Sequence, residues 1–529
     1  MGVDMFLCSA NSGRTTMLNQ YFKRDKIMVS QVASTVFFLF VITFTWSSSV
    51  SSGPGDRARN LLEQTDISRG LKEVPPSALA CTENDKKDFV TLIANEFYLW
   101  YDEMADVDPE DFATAQAYLD ALTAPLAVDK RDDGFSYLTS KKADEERYSA
   151  GAYIGFGFRY GFDAFGGFFF ADVFQDGPTG KVGFSRGDEV LAIDIGNGRG
   201  YETIDELINR NVTSLELFGP SELNIERGFR VRKPTGDIVE KVIAKEELTT
   251  PPLAVAPTLL PRDGLSPVGY LNLRSFISTA NSELDQAAAF FSRNNVTDLV
   301  VDLRYNGGGL LSVADRMLDL LGGLRAAGRL SFLLSFNDKQ SKNNAGAYFT
   351  PLANSMEPLR IAFITTNGSA SASELVINGL APHIDVVIVG DDTYGKAVGQ
   401  EPFDQDRADL WANYGVSPTT LEKWSRCDNR TRLVTFEIVN GEGDGGYYTG
   451  LVDTGRFVFC PAADDITRGF GDPGEASLSA ALGWLNLGLC NTTASSQAFG
   501  AHRRRETSRQ TWDLMKQPDA PFGRSPFVQ

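Results

Sequence analysis

Between Val268 and Gly390 the chain alternates short apolar runs with amphipathic runs of helical length. The apolar runs are VGYLNL at 268–273, TDLVVDLRY at 297–305, IAFITT at 361–366 and DVVIVG at 385–390. Between them lie LDQAAAFFSRN at 284–294, LLSVADRMLDLLGG at 310–323 and ASELVINGL at 372–380. Their apolar residues fall on helical spacings. Strand, helix, strand, helix predicts an α/β layer with mostly parallel strands. Ligands of open α/β sheets bind beyond the carboxyl ends of the strands, so chemistry is sought there.

The rest of the chain divides by composition. At 529 residues there is room for roughly three to four domains. Residues 32–46 (VASTVFFLFVITFTW) are one apolar run, behind Lys23, Arg24 and Lys26 and ahead of a Ser-rich stretch. That order predicts a secretory signal over 1–50, with an uncleaved anchor holding the protein to a membrane as the open alternative. A polar linker at 51–80 follows. Two helical runs, 86–104 and 111–126, predict a small helical domain over 81–147. The acidic stretch DEMADVDPED between them lacks the glycine and terminal glutamate of a calcium loop, so a solvated loop is expected. Residues 148–250 are rich in Phe and Gly, with strand-like runs YIGFGFRY, GGFFFADVF, DEVLAIDI, SLELF and IERGFRVRK. They predict a β-rich domain. A Pro-rich link then leads to the α/β region at 264–495 and a tail at 496–529.

Charge and rare residues exclude several chemistries. The net charge of -19 repels phosphate backbones and argues against nucleic acid as a partner. Only His383 and His502 are present, which excludes a histidine-rich metal site and leaves a Ser-His mechanism two candidates. His383 falls twelve residues after Ser371, at the end of the same helical run, and His502 sits in the basic run HRRRE. Cys8 precedes the apolar run. Cys81, Cys427, Cys460 and Cys490 remain, an even number that suits an oxidising compartment.

Three strand ends stand out. Asp302-Leu-Arg304-Tyr-Asn306-Gly307-Gly308-Gly309 places three glycines between a strand and a helix, where exposed N–H groups suit an oxyanion. Ser369-Ala-Ser371-Ala-Ser373-Glu374 is a second strand-to-helix turn, where a serine stands beside helix N–H groups. Ser371-x-x-Glu374 also reads as a capping box, and a helix cap is the default for an isolated serine. Asp391-Asp-Thr-Tyr394-Gly395-Lys396 follows the next strand, and a lysine pushed into an apolar site loses its proton readily.

Taken together, these motifs resemble the carboxyl-terminal processing peptidases, tail-specific serine proteases whose signature is S-A-S-A-S-E followed by G-K-x-x-x-Q. The resemblance maps the nucleophile to Ser371, the lysine base to Lys396 and the glutamine that orients it to Gln400. Asp302, Arg304, Asn306, Gly308 and Gly309 fit the family's D-x-R-x-N-x-G-G. An oxyanion hole is implied at the backbone N–H groups of Gly307 or Gly308 and Ala372. Ala397 and Gly399 depart from the common Gly and Val, and an insert-like stretch follows at 401–460.

The β-rich region resembles a PDZ domain. Ile154, Gly155, Phe156, Gly157 and Phe158 stand where such domains carry their carboxylate-binding loop, and Gly187-Asp188 fits a second PDZ motif. Phe168 to Phe170 are expected in the core. The resemblance therefore implies an α/β fold with a crotonase/ClpP-like catalytic core, a β-rich PDZ domain inserted in or preceding it, and a small N-terminal helical domain. It implies an exported serine endopeptidase, periplasmic or cell-envelope associated, acting on proteins or peptides with accessible C-termini. No metal or organic cofactor is implied. The alternative is a non-catalytic PDZ scaffold, against which the intact Ser371, Lys396 and Gln400 argue. Cys81, Cys427, Cys460 and Cys490 are expected to form two disulfides. Cys81–Cys490 would bracket the folded region, although three connectivities stay open.

Overall fold

Thr82 starts the first helix of a computed structural model that describes residues 81–163 and 166–490. The export segment, the linker, Cys8 and the tail lie outside these residues. Helix α1 (Glu83–Phe97) opens on a capping box: Thr82 Oγ1 accepts from Asp85 N–H at 3.1 Å and Asp85 Oδ2 from Thr82 N–H at 3.0 Å. Its buried face is Phe89, Val90, Ile93, Ala94 and Phe97. Helix α2 (Ala115–Ala127) is capped by Thr114. The acidic stretch between them is a loop with one 3-10 turn at Pro109–Asp111. Strand β1 (Tyr137–Ser140) follows.

The β-rich region runs through β2 (Ala152–Gly155), β3 (Phe158–Phe162), β4 (Phe168–Val173), β5 (Glu189–Asp194) and β6 (Tyr201–Thr203). Two short helices, α3 (Ile204–Asn209) and α4 (Ser214–Phe218), lead to β7 (Glu226–Arg232), β8 (Ile238–Ala244) and β9 (Glu246–Thr249). One sheet has the order β3-β4-β5-β7-β8, with β6 on β5, and β2 pairs with β9. SLELF, expected as a strand, is helix α4. Thr213 accepts from Glu216 N–H, Glu216 accepts from Thr213 N–H, and Gly219 stops the turn at φ +74°. These local signals outweigh the strand-like alternation of the apolar residues. Phe156, Phe158, Phe168, Phe170 and Phe229 fill this region's core.

The third region begins with the hairpin β10 (Thr258–Arg262) and β11 (Leu265–Asn272). Then come α5 (Ala280–Arg293), β12 (Asp298–Asp302), α6 (Leu311–Gly322), β13 (Leu330–Phe336), β14 (Ala345–Tyr348) and β15 (Arg360–Thr365). After α7 (Ala372–Leu380), β16 (Asp385–Gly390), β17 (Val398–Asp404) and β18 (Asn429–Asn440) come β19 (Val458–Pro461) and α8 (Ala476–Leu487). Strands β11, β12, β15, β16 and β19 are parallel neighbours in that order. Alternate residues explain why the sheet is covered on both faces. Leu299, Val301, Ile361, Phe363 and Ile388 pack with α5, α6 and α7. Val300, Ala362, Ile364, Val387 and Val389 pack with Leu478, Ala481, Trp484 and Leu485 of α8. Two-sided burial is what makes these strands continuous apolar runs in the sequence.

A second sheet, β1-β18-β13-β14 with β17 on β18, closes the other side. Phe332, Leu334, Phe436 and Ile438 join the core under α7. Val398, Phe403, Leu433 and Val434 instead share a core with Phe89, Ile93, Phe97, Leu119 and Leu122 of α1 and α2. Strand β17, which leads into the insert-like stretch, and β18 within it are thus packed directly on the first two helices.

Cys460 and Cys490 are bonded, with Cα atoms 5.2 Å apart. Cys81 and Cys427 are each disulfide-bonded as well. Four bonded cysteines agree with expectation, but the bracketing pair Cys81–Cys490 does not form. The end of α8 brings Cys490 onto β19 rather than onto the start of the fold. Removing the Cys460–Cys490 link, which spans 30 residues, is expected to cost roughly 3–4 kcal/mol by loop-closure entropy. Urea unfolding of Cys490→Ser beside the parent tests this, and an unchanged midpoint would refute it.

Candidate active site

Strand β15 ends at Thr365 and helix α7 begins at Ala372, so Ser371 sits on the turn between them. Its backbone is at φ 56° and ψ -111°, a region L-residues enter only when surroundings enforce it. The enforcement is visible. Ser369 Oγ accepts from Thr366 N–H at 3.1 Å and donates to the Leu303 carbonyl at 2.7 Å. Ser373 Oγ donates to the Asn306 carbonyl at 2.8 Å. Both outer serines are wholly buried, while Ser371 between them is part-exposed. Of the three serines, the strained and accessible one is Ser371.

The glycine loop at the end of β12 lies against this turn. At Gly308, with φ +102°, an added Cβ would come within 2.8 Å of Ser371 Cβ and 2.9 Å of Ala372 N. Only a glycine brings the backbone that close. Gly308→Ala is accordingly expected to abolish activity with little global unfolding, read as catalytic rate against thermal midpoint. Full activity in that variant would contradict the placement. The Gly308 N–H itself donates to Asn306 Oδ1 at 3.0 Å, so it is occupied. The N–H groups of Gly307 and of Ala372, the first residue of α7, have no acceptor among the described residues.

Buried charge fixes the loop's shape. Arg304 is 1% exposed and binds Asp302 at 2.7 Å, Asp464 at 2.8 Å and Glu475 at 3.0 Å. Arg186 of the β-rich region reaches the same Asp464 at 2.5 Å and donates to the Tyr305 hydroxyl at 2.9 Å. Asp302 and Arg304 therefore act as framework inside the protein. Arg274, two residues past β11, is a second tie, bidentate to Asp172 of β4 at 2.8 and 2.7 Å.

Lys396 comes from the segment between β16 and β17. It is 3% exposed, and its Nζ donates to Gln400 Oε1 at 2.8 Å. Burial pushes its pKa down to about 7; Asp132 and Glu374 pull it upward, and Arg432 adds to the lowering. Glu374, read from sequence as a helix cap, has a larger part. One of its oxygens accepts from both Ser371 N–H at 2.7 Å and Lys396 N–H at 2.9 Å. Its other oxygen accepts from Gly395 N–H at 2.8 Å. A single wholly buried carboxylate thus joins the serine turn to the lysine turn, and burial pushes its own pKa up to about 7. The S-x-x-E spacing pointed at this residue, but nothing in the sequence pointed to the second turn it holds.

The remaining candidates are spread elsewhere. Ile154 and Gly155 lie in β2, Phe156 and Gly157 form the turn, and Phe158 begins β3. Phe156 and Phe158 are core residues, and the Phe156 carbonyl accepts from Thr179 N–H and Oγ1. Strand β3 is the edge of its sheet. His383 follows the far end of α7, with its ring edge-on to Phe349 at 5.0 Å. His502 lies outside the described residues. No group of three or more potential metal ligands exists among the described residues, nor does any helix there have the length and apolarity to cross a membrane.

Two family models match this chain: peptidase family S41 over residues 267–431 and the peptidase S41 N-terminal domain over 85–137. The chain is 27% identical over 308 residues to a chloroplastic C-terminal processing peptidase of Tetradesmus obliquus, covering 55% of this chain and 61% of that one. It is 25% identical over 343 residues to the carboxy-terminal processing protease CtpB of Bacillus subtilis, covering 62% and 63%. The matches thus span about three-fifths of each relative's length. A crystal structure from Bacteroides fragilis, classed with the S41 proteases, superposes on 76% of this chain and 96% of its own at a TM-score of 0.56 and 24% identity. That likeness fixes the fold, a mixed α/β core of the crotonase/ClpP type. With the two domain matches and the processing-peptidase relatives, the chain carries peptidase family S41 domains and is similar to the carboxyl-terminal processing peptidases.

Proposed function

We propose that this protein is a serine endopeptidase whose nucleophile is Ser371 and whose base is Lys396. The observation that carries the reading is the geometry: Lys396 is 3% exposed, its turn is joined by the Glu374 carboxylate to a strained serine turn, and burial pushes its pKa down to about 7. In this reading neutral Lys396 takes the Ser371 proton, and the alkoxide attacks the peptide carbonyl. The N–H groups of Gly307 and Ala372 receive the oxyanion, with Gly308 shaping the turn. Lys396 gives its proton to the leaving amine, and the acyl-enzyme forms. It then draws a proton from water for deacylation. Gln400 holds the amine in place throughout.

The β-rich region would act as the PDZ domain. Strand β3, at the edge of its sheet, begins right after the Phe156–Gly157 turn, the place where a peptide C-terminus adds as a strand in such domains. Substrates would be proteins or peptides with accessible C-termini. Four disulfide-bonded cysteines support an oxidising compartment and hence export, periplasmic or at the cell envelope. Purified protein is expected to cleave an unstructured polypeptide and to bind peptides with a free terminal carboxylate more tightly than their amidated forms. Carboxylate-selective binding with no cleavage under any condition would favour the scaffold alternative.

A further inference from the structure

The environment of Lys396 is completed by a segment that precedes it by more than 250 residues. The turn Asp132–Ser136, between α2 and β1, lies against the lysine from the helical side. The Phe135 ring faces Lys396 Nζ at 4.7 Å from its centroid. The Phe135 carbonyl accepts a hydrogen bond from Gln400 Nε2. That contact settles the orientation of the Gln400 amide, because with its NH2 on a carbonyl its oxygen is left for the lysine. Tyr394, two residues before Lys396, donates to Asp133 at 3.2 Å and meets the Phe135 ring at 5.9 Å.

The turn is itself held rigidly. Asp132 is wholly buried and accepts from Phe135 N–H at 2.7 Å, Ser136 N–H at 3.0 Å, Ser136 Oγ at 2.6 Å and Tyr98 Oη at 3.0 Å. Ser136 Oγ in turn accepts from Val434 N–H of β18 at 3.1 Å. Four donors on one carboxylate exceed what closing a surface turn requires, and they fix the ring that the turn presents.

We infer that Phe135 is a positioning residue for the lysine base, keeping Lys396 dry with its ring and setting Gln400 with its carbonyl, while Asp132 locks the turn that carries it. This rests on the peptidase reading for its consequence but not for its test. Asp132, Glu374 and Arg432 are the charged groups that act on Lys396, and the variants below leave all three in place. Phe135→Ala opens the wall to water, so Lys396 regains its hydration and titrates higher. Phe135→Leu keeps the wall dry but removes the ring face that favours the cation, so titration moves slightly lower or holds. A residue that does not shield the amine would leave the Lys396 titration unchanged in both variants.

The experiment is trace acetylation with acetic anhydride at pH 5 to 10 on the full chain, quantified at Lys396 by mass spectrometry. The expected result is a labelling midpoint raised by about one pH unit or more in Phe135→Ala and not raised in Phe135→Leu. The acid limb of kcat should follow the same order, with KM changed less. Equal midpoints in wild type and both variants, with thermal unfolding confirming that each is folded, would overturn the inference. If Phe135→Ala does not fold, Phe135→Val takes its place as the variant that opens the wall, and a midpoint no higher than that of wild type in a folded Phe135→Val overturns the inference. Labelling needs no turnover, so a wild-type protein that cleaves nothing defeats the peptidase reading alone.

Discussion

Ser371→Ala is expected to leave a folded protein that cleaves at least about a thousandfold more slowly than its parent, because the nucleophile is gone while the oxyanion N–H groups remain. Ser369→Ala and Ser373→Ala should behave in the opposite way. Each removes a buried hydroxyl from a carbonyl of the neighbouring loop, Leu303 in one case and Asn306 in the other. An unpartnered buried polar group costs about 1–3 kcal/mol, so both variants lose stability. Their catalysis falls only as far as the serine turn loosens. The measurement pairs kcat on a fluorogenic peptide with urea unfolding for all three. Ser371→Ala retaining wild-type kcat, or Ser369→Ala losing all activity at parental stability, would show that the nucleophile has been misplaced.

Lys396→Met should show that the site is held at the expense of the fold. Activity is expected to disappear while stability at neutral pH rises. The sign follows from the depressed pKa. Unfolded, the lysine titrates near about 10.4; folded, near about 7. Between those values the unfolded chain holds the proton more tightly, so stability falls as pH drops from about 10 to 7 and is level below that. At pH 7 the penalty is roughly 4 kcal/mol, an upper figure for what methionine recovers, since the Gln400 hydrogen bond and the ring contact are lost. The same proton sets catalysis: kcat should rise with pH through about 7 as the neutral amine forms. Unfolding of both proteins from pH 6 to 10 is the check. The stability gap should narrow toward high pH, and a constant gap would mean that the lysine is not depressed.

Much of this site was legible as sequence because it lies on local turns. Gly308, Ser371 and Lys396 each follow a strand within a few residues, and strand ends can be read from apolar runs. The resemblance had already singled out the middle serine, and burial sets Ser369 and Ser373 apart from the part-exposed Ser371. What could not be read depends on pairing across the chain. Glu374 carried the signature of a cap, yet its second turn at Gly395–Lys396 becomes its neighbour only when β15 and β16 lie side by side. Gly308 looked like an oxyanion donor, but its N–H is taken by Asn306. The pair Cys460–Cys490 needed β19 and the end of α8 to meet. SLELF was misread because alternating apolar residues suit either a strand or one helical turn, and there the capping box decides.

The placement of Phe135 has a consequence for the order in which competence is acquired. It lies 265 residues before Gln400, so this contact has a very long loop to close. Lys396 takes its depressed pKa from burial, so before α1 and α2 pack on β17 and β18 an amine still in water would keep its proton at neutral pH. On the reading proposed above, an unfinished chain would be latent: Ser371 and Lys396 would both wait on tertiary structure, and the amine would become a base only once the distant Phe135 turn had closed over it.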